Sequence, residues 1–230
     1  MKSVPELSPN ASPQDILSLG LEAAQGPVKL ACSFSLEDVA IIDLAKAAGL
    51  EIGLFALDTG RLNEETYEVA DAISQRYGIS IDWYFPLHEA VEKLEREKGL
   101  FSFRESLDNR HECCHIRKVE PLGRALQGLS GWITGMRREH NVTRVDLKPI
   151  ELDNLNGGIL KLNPLLNWNE EELLAYVQEH RLPQNRLLKE GYRSIGCAPC
   201  TRAVQPGEDA RAGRWWWENP EHKECGLHRR

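Results

Sequence analysis

An α/β fold built on a parallel sheet is predicted for this chain, and three observations carry the reading. Short apolar runs alternate with helical patterns of about a dozen residues, the order expected when helices pack against a parallel sheet. Three of the runs end in turns carrying serine, threonine or glycine. The chain has 230 residues, enough for one sizeable domain with a real core and a loop-rich C-terminal segment.

The elements follow in order. Ser12-Pro13-Gln14-Asp15 opens a helix: serine caps, proline takes the first helical position, and an acid sits in the first turn. The run 28–34 is a buried-strand candidate, followed by an amphipathic helix over 37–48. A second strand over 51–57 and a second helix over 63–77 repeat the pattern, as do 79–85 and 87–98. Gly131-Trp132-Ile133-Thr134-Gly135 reads as a further strand ending at a glycine, and 146–152 and 158–162 as shorter ones. A last helix starts at Asn169, which caps it, with Glu170, Glu171 and Glu172 favourably placed in its first turn. Beyond Pro183 the chain is dense in Gly, Pro, Arg and Trp.

Net charge is −7, which argues against a general nucleic-acid surface. The charge is uneven: residues 1–100 hold 8 Lys/Arg against 17 Asp/Glu, whereas the remainder holds 20 against 18. Cations therefore gather in the part of the chain that holds most of the cysteines, which suits a small anionic ligand. No run approaches the ~18 apolar residues of a membrane span, and no signal peptide precedes the first element, so a reducing cytoplasm is expected.

Six cysteines are present. Cys113 and Cys114 are adjacent, and Cys197 and Cys200 form Cys-Ala-Pro-Cys after 82 intervening residues. Two such pairs read as a metal or iron–sulfur site rather than as disulfides in a reducing compartment. Cys32 lies in an apolar run and is expected in the core. Cys225 stands alone near the end, in Glu224-Cys225-Gly226-Leu227-His228, with Lys223, Arg229 and Arg230 favouring its thiolate. Trp215, Trp216 and Trp217 are consecutive and cannot share one face.

Ligands of open parallel sheets bind at the carboxyl ends of the strands. There the chain places Ser33-Phe34-Ser35-Leu36-Glu37-Asp38, Leu57-Asp58-Thr59-Gly60-Arg61 and Thr134-Gly135-Met136-Arg137-Arg138. Hydroxyls before a helix N-terminus, a glycine that permits close approach, and paired arginines together favour a nucleotide. Serine as a simple helix cap is the plainer reading of the first turn.

With Cys113-Cys114-His115-Ile116-Arg117-Lys118, Cys197-Ala198-Pro199-Cys200 and the Cys225 segment, these motifs resemble the assimilatory adenosine 5′-phosphosulfate reductases of the iron–sulfur type, over roughly residues 28–230. Related ATP-pyrophosphatases carry Ser-Gly-Gly at the first turn; Phe34 and Ser35 stand in place of those glycines here and argue against ATP cleavage. The resemblance implies an adenine nucleotide α-hydrolase-like three-layer sandwich. Residues 1–27 would form an N-terminal helical segment, 28–206 the nucleotide-binding domain with the cluster, and 207–230 a mobile catalytic tail.

The resemblance also implies roles. Ser33, Ser35, Leu57, Asp58, Thr59, Gly60 and Gly135 would hold the nucleotide, Lys118, Arg211, Arg214 and His228 would lie near the phosphosulfate, and Arg137 and Arg138 would form the family's substrate-binding arginine loop. Cys113, Cys114, Cys197 and Cys200 would ligate one [4Fe–4S] cluster per subunit of a homo-oligomer. Cys225 would attack the sulfur of adenylyl sulfate, and thioredoxin or a similar dithiol protein would release sulfite. Reduction of the 3′-phosphorylated analogue, a tRNA thiolase activity and a non-catalytic zinc-bound module are the competing readings; the missing Ser-Gly-Gly turn and acidic charge weigh against the thiolase.

Overall fold

The computed structural model describes residues 4–140 and 147–219. The chain forms two compact units. One is made from Met1–Ala56, Val69–Asp82 and Leu126–Gln184, the other from Leu57–Glu68, Trp83–Ala125 and Asn185–Arg230. Among the described residues no helix is long and apolar enough to cross a membrane.

The first unit is organised by the sheet. Helix α1 (Pro13–Ala24) begins with a capping box between Ser12 and Asp15, as the sequence pattern requires. Strand β1 (Val28–Ala31) leads to α2 (Leu36–Ala47), then β2 (Gly53–Leu57), α3 (Glu64–Tyr77) and β3 (Ile81–Tyr84). Later come β4 (Gly131–Ile133), β5 (Ile150–Asp153), β6 (Ile159–Leu162) and α7 (Glu170–Glu179). The strand order is β3-β2-β1-β4-β6-β5. β1 runs parallel to β2 and to β4, and β4 parallel to β6.

At one edge of the sheet β5 pairs antiparallel with β6. The reason is connection length. β5 and β6 are joined by a short turn over Asn154–Asn156, with Gly157 and Gly158 at positive φ, whereas a parallel pairing needs a crossover of a dozen residues or more. β1 is shorter than expected, ending at Ala31, because the chain leaves the sheet for a turn in which Phe34 adopts a left-handed φ of 64°.

Leu30, Leu54, Phe55, Ile133, Leu160 and Leu162 are almost wholly buried on the sheet, and Val39, Ile41 and Ile42 on α2. Cys32 joins them, 4 % exposed. Helix α2 packs against both α1 and α7, so it is buried nearly all round and even Asp43 is covered. That carboxylate accepts hydrogen bonds from Tyr77 Oη at 2.9 Å and Tyr176 Oη at 2.8 Å. His180 Nδ1 lies 3.0 Å from it, so the buried charge is met by polar partners from α3 and the end of α7.

The second unit contains α4 (His88–Lys98) and a continuous helical run: α5 (Leu107–Cys114), one π-turn (His115–Val119) and α6 (Glu120–Leu126). No helix is expected over this run from the sequence pattern. Its core joins Leu94, Phe103, Cys113, Cys114, Cys197, Cys200 and Trp215, with Ile116 and Trp217 packed against them.

Candidate functional site

Four cysteines separated by 82 residues meet around one cavity of the second unit. Arg110, Cys113, Cys114, Arg117 and Lys118 line it from the α5 run. Their spacing (i, i+3, i+4, i+7, i+8) is that of one helix face, and the π-turn that carries Arg117 and Lys118 begins immediately after Cys114. Such single turns recur at functional sites. α5 is started by Ser106, whose side chain accepts from Asn109 N at 3.1 Å.

Cys197 and Cys200 bracket a 3-10 turn, Ala198–Cys200. Ala198 N donates to Arg61 O at 2.8 Å, and Cys200 N to Cys197 O at 2.9 Å. Thr201 Oγ1 donates to Cys197 O at 3.0 Å and accepts from Gly196 N at 3.2 Å. Trp215 N donates to Cys200 O at 3.0 Å, bringing the indole over the cavity. All four thiols are buried and free of disulfides. Among the described residues no three His, Cys, Asp or Glu side chains are grouped so that they could hold one metal ion. The four line one cavity.

The cavity is cationic. Arg61 and Arg117 both donate to a single oxygen, Glu95 Oε1, at 2.8 Å and 2.6 Å. Arg117 Nη1 also donates to Thr59 O at 2.7 Å, and Arg61 Nη2 to Leu100 O at 2.9 Å. Arg110 is fully buried and pairs with Glu218 at 2.8 Å. Arg110 and Arg214 each place the guanidinium carbon 4.7 Å from the Trp215 ring centre, within cation–π range.

These charges act on the thiols. Burial pushes Cys200 up to about 12, with the Cys197 charge adding to it. Burial also raises Cys113, against the pull of Arg117 and Arg61. Cys197 is the exception: burial raises it, but Lys118, a hydrogen bond with Thr59, Arg214 and Arg117 together bring it below the usual thiol value. Its Sγ lies 3.3 Å from Thr59 Oγ1. Opposite charges favour the thiolate, and here they outweigh desolvation.

The segment expected to hold the nucleotide in the second unit follows β2. Asp58 Oδ1 accepts from Gly60 N at 2.7 Å and Oδ2 from Tyr67 Oη at 2.8 Å. Burial and the Asp58 charge push the Tyr67 phenol up to about 12. Gly60 takes φ +68°, a turn that favours glycine, and a Cβ there would stand 3.4 Å from Arg117 Nη1. The Leu57–Gly60 turn and the cysteine cavity are thus joined through Thr59, which touches both Arg117 and Cys197.

In the first unit the other strand-end turns are equally tight. Asp38 Oδ2 accepts from Ser33 N and Ser33 Oγ, each at 2.7 Å, and Ser35 caps α2. Burial lifts the Asp38 carboxyl to about 6, only partly offset by the Ser33 bonds. A Cβ at Gly135 would lie 2.7 Å from Asp38 Oδ1 and 2.8 Å from Glu37 Cβ, so the glycine loop sits directly against the start of α2. Arg137 is buried and donates to Glu37 at 3.0 Å and to Glu139 at 3.0 Å. Arg138 Nη2 donates to Leu147 O at 2.9 Å.

Of the expected phosphosulfate cations, Lys118 and Arg214 belong to the cysteine region. Arg211 lies in the preceding turn, its N–H donating to Asp209 at 2.8 Å. Cys225 and His228 lie outside the described residues. Arg61, Glu95, Arg110 and Arg117 carry no site role in the expectations from sequence. The helical spacing of 110, 113, 114, 117 and 118 was the signal available for Arg110 and Arg117.

Residues 27–203 match the family model described as the phosphoadenosine phosphosulfate reductase domain, and the chain belongs to that family. It is 46 % identical to adenosine 5′-phosphosulfate reductase of Burkholderia cepacia over 97 % of this chain and 89 % of that protein. It is 49 % identical to adenosine 5′-phosphosulfate reductase of Allochromatium vinosum, over 88 % of this chain and 79 % of that one. In structure it resembles phosphoadenylyl-sulfate reductase of Candida auris, solved as a phosphate complex, with a TM-score of 0.70 and 27 % identity over 88 % of this chain and 100 % of that chain.

Proposed function

We propose that the protein reduces adenosine 5′-phosphosulfate to sulfite and AMP in sulfate assimilation, in a reducing compartment such as the cytoplasm. The observation that carries the proposal is the buried cysteine quartet ringed by Arg61, Arg117, Lys118 and Arg214, in a chain nearly half identical to reductases named for that substrate.

The quartet fits a [4Fe–4S] cluster by its chemistry: four buried, disulfide-free thiols line one cavity beside buried cations. Two buried donors of the cavity, Arg117 Nε and Trp215 Nε1, have no acceptor among the described residues. Buried donors rarely stay unmatched, and cluster sulfur is an acceptor of the right kind. Cys113, Cys114, Cys197 and Cys200 would hold the group; with all four irons bound by thiolates, it would supply fixed negative charge rather than an open coordination site.

The chain's own residues account for the rest. Lys118 and Arg214 offer positive charge to a sulfate and to the phosphate that departs. The Cys225 thiolate attacks the sulfate sulfur; the bond from that sulfur to the phosphate oxygen breaks, AMP leaves with the electron pair, and Cys225 carries SO₃⁻. An external dithiol, thioredoxin or a relative, then takes over Cys225 and frees sulfite.

Anaerobic incubation with adenosine 5′-phosphosulfate, followed by intact-protein mass measurement, tests the reaction. An added SO₃ is expected on wild type and none on Cys225→Ser; an adduct on the serine variant would exclude Cys225 as the nucleophile. Likeness to a phosphoadenylyl-sulfate reductase makes the 3′-phosphorylated substrate the second reading, and the same measurement with that compound separates the two. Colourless protein holding zinc and no acid-labile sulfide would remove the cluster.

A further inference from the structure

Beside the cysteine cavity the second unit presents an unusually apolar face. Leu100 and Phe101 are each 57 % exposed and Trp216 is 38 % exposed, side chains that proteins more often cover. They are firmly seated. The Arg104 guanidinium carbon lies 5.2 Å from the Phe101 ring centre and 5.5 Å from that of Trp216, and Arg104 Nη2 donates to Pro199 O at 3.0 Å. Phe101 rests 6.1 Å from Phe103, and Trp216 meets Trp217 edge-on at 4.7 Å between centres.

Phe103 and Trp217 belong to the layer that wraps the four cysteines. The face is therefore pre-organised: aromatic, apolar, with an exposed guanidinium at its centre, the composition that dominates binding at interfaces. Chain position indicates its occupant. Cys225 follows Trp216 by nine residues, and nine residues extend at most about 30 Å. A protein seated on Leu100, Phe101 and Trp216 would lie within reach of that sulfur.

We propose that this face docks the dithiol protein that discharges Cys225, an inference that rests on the reaction proposed above. The partner it fits has apolar surface around its thiols and a carboxylate to meet Arg104. A partner thiolate attacks Cys225 Sγ, the bond to the sulfonate sulfur breaks, and sulfite leaves with the electron pair. The second partner thiolate then attacks the partner sulfur of the mixed disulfide, Cys225 leaves as thiolate, and the partner ends oxidised to its disulfide. Two thiols supply the two electrons.

The test separates the half-reactions. Wild type and the double variant Leu100→Ser with Phe101→Ser, both with full iron and sulfide content, are loaded with adenosine 5′-phosphosulfate and weighed. Sulfite release is then timed after adding reduced thioredoxin or, separately, dithiothreitol. Equal adducts are expected, with release by thioredoxin slowed about tenfold or more and release by dithiothreitol unchanged. Trp216→Ser gives the same comparison should the double variant fail to fold.

Undiminished release by thioredoxin overturns the docking face. So does equal slowing with both reductants, and so does sedimentation showing that two copies of the chain pair through these residues while release is unaltered. Absence of an adduct on wild type overturns instead the reaction on which the inference rests.

Discussion

Asp38 is buried and accepts two short hydrogen bonds from Ser33, yet burial prevails and its carboxyl is lifted from 3.8 to about 6. The folded chain thus holds this proton more tightly than the unfolded chain. Its contribution to stability is greatest below pH 3.8, falls as pH rises to about 6 and is level above that; the whole loss is about 3 kcal/mol at most. Asp38→Asn keeps the volume and one carbonyl acceptor but cannot titrate. The difference in urea midpoint between wild type and Asp38→Asn should therefore change between about pH 4 and pH 6 and be flat on either side. A constant difference across that range would show that the carboxylate titrates elsewhere.

Two glycines make opposite cases at the level of elements. Gly135 follows β4, and a Cβ there meets Asp38 Oδ1 at 2.7 Å and Glu37 Cβ at 2.8 Å. Gly135→Ala must push the loop away from α2, at a cost of about 1–3 kcal/mol. Gly123 lies within α6 with open space at the same position, so Gly123→Ala should stabilise by about 0.5–1 kcal/mol through helix propensity alone. Denaturant titrations of the two variants check both signs; a stable Gly135→Ala would mean that the loop does not depend on this contact.

Elements with a strong local signal were legible in the sequence. Ser12 and Asn169 announced α1 and α7, and both form full capping boxes. The α5 run was not read, although Arg110, Cys113, Cys114, Arg117 and Lys118 share a helical period, because a search for apolar periodicity passes over a stripe that is mostly charged. The cysteine pairs were legible as a set from composition. Glu95 was not, since its role depends on two arginines brought to it from elsewhere in the chain. The antiparallel β5 edge follows from a connection length that single-strand patterns do not display.

For the whole molecule, the proposed cluster makes removal of iron the informative perturbation. The second unit's core is built around the four thiols and Trp215, so stripping iron with a chelator should raise amide exchange in residues 57–68, 83–125 and 185–219 well before the sheet strands respond. Uniform exchange throughout the chain would show that the core does not depend on a group held by the four thiols. The order of the sheet has a consequence of another kind, for the chain as it is synthesised. β1 pairs on one side with β4, Val28 opposite Gly131. At ribosomal speeds of about 5–20 residues per second, the roughly 100 residues between them take about 5–20 s to appear. During that interval one edge of the most central apolar strand has no neighbour to bond. A nascent chain of this topology offers a chaperone a defined window and a defined strand, and slow translation before Gly131 lengthens its exposure to aggregation.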